Sequence, residues 1–159
     1  MNTRNRVMLA TMGLAGMALL AQCAVGAPTA NPERAFVRMA PCPESPNCVS
    51  TLADPSDSVH FSEPLTYTGS LADAKARLLA VVNSMPRTKI VEDDGNYVRV
   101  EYRSLIFRFV DDVEFQFDDV AKTVQFRSAA RLGYGDMGVN RKRMDEIRAS
   151  FQQNPVSSR

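Results

Sequence analysis

Three groups of residues in this chain have types and spacings that could do chemistry. His60 is its one histidine. A general base at that position would need a nucleophile and a carboxylate within hydrogen-bond reach. Here the nucleophile would come from the Cys48-Val49-Ser50 turn and the carboxylate from Asp111-Asp112-Val113-Glu114. That would be a hydrolase-type centre, although no Gly-x-Ser-x-Gly elbow accompanies it. The acidic segment alone could hold a divalent cation through its carboxylates. On a strand, however, Asp112 and Glu114 share one face and Asp111 points to the other. Ion pairing of Asp112 and Glu114 with Arg99, Arg103 and Arg127 is therefore the simpler expectation.

The third group is basic and glycine-rich. Gly133, Gly135 and Gly138 lead into a helix, where free backbone N–H groups and the helix dipole favour an anion. The expected ligand contacts are Arg131, Gly135, Gly138, Asn140 as helix cap, and Arg141. Arg141 and Arg143 stand two apart, about 200° around a helix, so they cannot both serve one small ligand. Arg141 has Asp145 one turn on. Arg143 lies beside the apolar stripe and is expected to pair with Asp112 or Glu114. Asp136 competes for the same helix start.

Three cysteines and one histidine exclude a His-rich metal centre by count, and no cofactor is expected. Cys42 and Cys48 flank Pro43-Glu44-Ser45-Pro46-Asn47, a stiff turn able to bring two sulfurs together. The pair reads as a small-loop disulfide. A redox pair would more often be C-x-x-C, and zinc would need two further ligands.

The elements that must position these groups follow from periodicity. Ser70, with Asp73 three residues on, starts a helix that carries Leu71, Ala74, Leu78, Val81 and Met85 on one face and stops before Pro86. Period-two alternation then marks strands at 89–92, 97–103, 112–118 and 123–131, joined by short turns. Val98, Val100, Tyr102, Val113, Phe115, Phe117, Val124, Phe126, Ser128 and Ala130 face inward. A short edge strand is expected at 65–68. Residues 106–110 are too uniformly apolar to assign a face. The last helix runs from 140 to 151, with Met144, Ile147 and Phe151 buried. The expected architecture is α+β, an antiparallel sheet of about four strands with two helices packed on one face.

The 159 residues carry a net charge of +1, which removes the usual argument for nucleic-acid or polybasic membrane-surface binding. Arg4 and Arg6 precede an uncharged run from Val7 to Ala21, the layout of a bacterial secretory signal. Two cleavage modes are open. Leu20-Ala21-Gln22-Cys23 resembles a lipobox, with Cys23 as the lipidated residue and the signal ending at 22. Ordinary cleavage after Gly26 has small residues at both recognition positions. Cleavage at 22 removes two basic residues and no acidic ones, so the remainder carries −1. Residues 27–39 read as a linker, 40–153 as one domain and 154–159 as a polar tail. Membrane contact is expected only through the N-terminus, if it is lipidated or uncleaved.

Three separated segments carry a family resemblance: 42–50 (CPESPNCVS), 109–115 (FVDDVEF) and 127–143 (RSAARLGYGDMGVNRKR). Together they resemble the domain-of-unknown-function family 1499, over roughly residues 41–151. The resemblance implies bacterial proteins, often with an exported or membrane-anchored N-terminus, relatives in plastids, and no established activity. The leading expectation is therefore an uncharacterised cell-envelope domain, most simply non-enzymatic. It would bind an envelope protein or a small anionic ligand.

Overall fold

A computed structural model describes residues 38–153. The expected signal, its two cleavage modes and Cys23 lie outside the described residues, as does the expected polar tail. Eight elements follow in chain order: β1 (Cys48–Ser50), β2 (Leu65–Thr66), α1 (Leu71–Ser84), β3 (Thr88–Asp94), β4 (Tyr97–Arg103), β5 (Val110–Asp118), β6 (Thr123–Ala130) and α2 (Val139–Gln153). The class is α+β. The sheet is wholly antiparallel, in the order β1-β6-β5-β4-β3, with β2 also paired to β6.

The four long strands are the four that alternation marks. The two extra strands are short pieces laid on β6, Cys48 opposite Ala129 and Leu65 opposite Val124. β2 is the edge strand expected at 65–68, two residues long, whereas the three residues of β1 are too few for a period-two signal and escape the pattern. The Cys48-Val49-Ser50 segment is thus an edge strand rather than part of a turn.

Val98, Val100, Val113, Phe115, Phe117, Val124 and Phe126 form the inner sheet face with Leu78, Val82, Met144, Ile147 and Phe151 of the helices. Burying a side chain of this size is worth roughly 1.5–3 kcal/mol, so this layer supplies the main drive to fold. The Ser70 hydroxyl caps α1 by accepting from the Asp73 amide, and Met85 leaves the helical conformation just before Pro86. Tight turns close the meander; Gly95 takes φ +54 in the β3–β4 hairpin, a value that favours glycine.

The fold begins earlier than the sequence suggests. Arg38 and Met39, read as the end of a linker, belong to the domain. The Arg38 amide donates to Gln116, its guanidinium stacks on Tyr97 at 4.2 Å, and Met39 is buried.

Candidate functional site

The disulfide forms between Cys42 and Cys48, with Cα atoms 5.7 Å apart. Its loop presents two groups to the rest of the molecule, the Ser45 carbonyl and the Asn47 side chain. Asn47 is buried and donates to the Gly133 carbonyl at 2.5 Å, while its own carbonyl receives the Ala130 amide and Asn140 Nδ2.

Asn140 is the second residue of α2, not its cap. Asp136 does the capping: its carboxylate accepts from the Gly138 and Asn140 amides at 2.9 and 2.8 Å. The donors on which an anion would sit are therefore taken by a carboxylate of the chain itself. Asn140 is buried and turns inward, accepting from Ser128 Oγ at 2.6 Å and from Arg143 Nη1 at 2.6 Å. It is a joint between sheet and helix.

Arg143 does turn to the sheet, but its partner is Asp111 at 2.6 Å rather than Asp112 or Glu114. The reason is the strand's alternation. Asp112 and Glu114 point to the outer face, while Asp111 points to the face that α2 covers. Both side chains of the pair are little exposed, 11% and 13%, and Arg143 also lies over the Tyr102 ring at 4.6 Å. Burial raises the Tyr102 phenol's pKa well above its ordinary value.

Arg131 lies on the outer face and does not join Arg141. It grips Asp112 with two nitrogens at 2.6 and 2.8 Å and reaches Glu101 at 2.6 Å. Those bonds hold both carboxyls below their usual pKa range. Arg99 also approaches Asp112 (3.5 Å), Arg103 pairs with Glu101 (3.3 Å), and Arg127 pairs with Glu114 (3.3 Å). The outer sheet face is a network of ion pairs that uses Asp112 and Glu114 of the acidic segment and leaves Asp111 to the inner face.

Arg141 pairs with no carboxylate, Asp145 included. Its guanidinium donates to the carbonyls of Val59 and Phe61 at 2.8 and 3.0 Å, tying α2 to the loop 51–62. Gly138, Asn140 and Arg141 do line a small cavity of about 160 Å³ beside the disulfide loop. Gly135 has open space around it and is not among that cavity's lining residues.

His60 is not a solvated loop residue. Its Nδ1 lies 2.6 Å from the Asp57 carboxylate and its Nε2 lies 3.2 Å from the Ser45 carbonyl. Two oxygen acceptors facing the two ring nitrogens favour the doubly protonated imidazolium, and the bond to Asp57 raises the His60 pKa. Ser50 Oγ turns instead toward the Phe126 carbonyl.

A second, larger cleft of about 290 Å³ opens where the C-terminal end of α1, the end of β4, the start of β5 and the first turns of α2 meet. Tyr102, Asp111 and Arg143 line it together with Arg87, Arg103, Lys142 and Glu146. Among the described residues Arg87 and Lys142 form no ion pair. The sequence signal for this cleft was available in two separate facts, Asp111 on the inner face and Arg143 beside the apolar stripe. Their meeting is what builds its wall.

The three segments that carried the family resemblance converge on one chain of polar contacts: Asp111 to Arg143, to Asn140 and Ser128, then to Asn47. A model of proteins of unknown function, DUF1499, matches residues 38–151. The chain belongs to the DUF1499 family. That match begins at Arg38, the first described residue, whose amide and guanidinium are held by Gln116 and Tyr97, and ends at Phe151, the last core residue of α2. No curated protein matches the chain.

Proposed function

We propose that this DUF1499 domain is a non-enzymatic binding module of the cell envelope, and that it holds a small anionic ligand in the cleft between α1, β4 and α2. The observation that carries the reading is the surplus of positive charge there. Arg143 and Asp111 neutralise each other in the wall, Arg103 pairs with Glu101, and Arg87 and Lys142 face Glu146 alone. Arg87 and Lys142 have no carboxylate to release before a ligand binds. The helix start offered by the sequence is the weaker site, because Asp136 occupies its amides.

The non-enzymatic part rests on His60. The Asp57–His60 pair supplies two members of a hydrolytic triad, but Nε2 faces the Ser45 carbonyl where a nucleophile's hydroxyl would have to stand. Envelope location is supported by the charge pattern of residues 4–21 and by the disulfide, a bond that persists in oxidising compartments.

Native mass spectrometry of the full chain purified from envelope fractions tests the reading. A retained anionic small molecule, lost in a Lys142→Ala/Arg87→Ala variant of unchanged fold, is the expected result. A bare protein mass in both, with no co-purified ligand, would count against it.

A further inference from the structure

The β4–β5 connection is the most apolar exposed segment of the domain. Leu105, Ile106, Phe107 and Phe109 are 72%, 78%, 73% and 50% exposed, with the two phenylalanine rings stacked at 5.6 Å. A loop of this kind spends its charge-free surface on water, which soluble domains generally avoid. The four side chains together present on the order of 500 Å² of apolar area, within the size range of functional patches. The register places one more exposed apolar side chain at the same end: Ala130 pairs with Asp111, so Leu132, 70% exposed, leaves β6 beside the start of β5.

Basic residues outnumber acidic ones at this end, where Asp111 is paired with Arg143 and Glu146 is the one other carboxylate lining the neighbouring cleft. Within 103–110 the ionisable residues are Arg103 and Arg108, and Arg87 and Lys142 stand on neighbouring elements. Among the described residues Arg108 makes no ion pair.

We propose that the β4–β5 loop is a membrane-docking tip that inserts Leu105, Ile106, Phe107 and Phe109 into an anionic lipid surface while Arg103, Arg108 and Lys142 meet the headgroups. Three consecutive residues, 105 to 107, are each more than 70% exposed, so apolar groups project in every direction around the tip. A protein groove would receive one face of such a loop and leave the other in water. An isotropic apolar medium accepts them all. Arginines among the apolar residues suit an interface, where their stems lie along the acyl boundary and their heads reach phosphate. The inference is independent of the cleft's ligand, and it adds a membrane contact to one that the sequence alone confines to the N-terminus.

The absence of tryptophan from the chain supplies a direct test. F107W places the sole indole at the tip. V120W places it in the β5–β6 turn at the opposite end of the sheet, where Val120 is 97% exposed. Each full-length variant is mixed with vesicles of phosphatidylcholine alone or containing phosphatidylglycerol, with and without brominated acyl chains. Because the readout is local, binding through the N-terminal segment does not mimic it. The expected result is blue-shifted emission and bromine quenching for F107W on anionic vesicles, and neither for V120W. Adding Arg108→Ala should lower the inserted fraction about fivefold. Water-like emission from F107W on both vesicle types would overturn the proposal. So would equal shifts at both sites, equal insertion into neutral and anionic vesicles, a lipid-independent shift that grows with protein concentration, or a shift caused only by a protein partner.

Discussion

Arg143→Ala is the perturbation with the largest calculable cost. It removes the guanidinium that lies 2.6 Å from Asp111 and 2.6 Å from Asn140 Oδ1, and it uncovers one face of Tyr102. The Asp111 carboxylate is then left unpaired at 13% exposure. Breaking a pair buried to that degree costs about 3–5 kcal/mol, most of it the penalty on the surviving charge. For a domain of this size that is a fall in Tm of roughly 10–20 °C. Arg141→Ala loses bonds to two carbonyls that solvent can then reach, and should cost about 1–2 kcal/mol. A double-mutant cycle with Asp111→Asn isolates the pair. If the charge is what costs, Asp111→Asn in the Arg143→Ala background should recover much of the loss, because replacing both partners with uncharged groups removes the unpaired ion. Urea denaturation of the four proteins of the cycle and of Arg141→Ala, followed by circular dichroism, decides it. A loss at Arg143 no greater than that at Arg141, or a coupling energy near zero, would refute the reasoning.

Three further outcomes are expected. His60 has its pKa raised by Asp57, so the folded state holds the proton more tightly; that stability is complete below the unfolded imidazole value of about 6.5 and is lost as pH rises through the higher folded value. Wild type should therefore lose stability relative to His60→Gln as pH rises above about 6.5 and through the higher folded value, and parallel melting curves would contradict this. Cys42→Ser opens a short loop and should cost about 2 kcal/mol, with peptide mapping of the oxidised wild type showing Cys42 and Cys48 linked; two free thiols would be the contrary result. An alkaline-phosphatase fusion at Pro32 should be active if residues 4–21 direct export, and an inactive cytosolic fusion would end that reading.

How much of this was legible in the sequence differs by scale. Long strands such as Tyr97–Arg103 and Val110–Asp118 declare themselves, because seven or nine alternating residues outweigh noise. The short β1 does not, since it exists only where β6 offers its free edge, and the edge strand expected at 65–68 is held to Leu65–Thr66. The site was harder still. Charge complementarity alone gives Arg143 several carboxylates to choose from, and only the direction of each side chain from β5 selects Asp111. Arg131 reads equally well as a ligand contact or an ion-pair partner until Asp112 and Glu101 are placed on the same face by the β4–β5–β6 register. The setting of His60 is not legible either, because its partners come from Asp57, three residues back, and from Ser45, across a loop closed by a disulfide.

The central claim is that an anion enters the α1–β4–α2 cleft and not the start of α2. Backbone amide NMR of the ¹⁵N-labelled chain, titrated with inorganic phosphate, tests it most directly. The expected result is saturable shifts at Arg87, Ser104, Lys142 and Arg143, absent in Lys142→Ala, with Gly138 and Arg141 unmoved. Shifts centred on Gly138 and Arg141, or none beyond those of added salt, would contradict it.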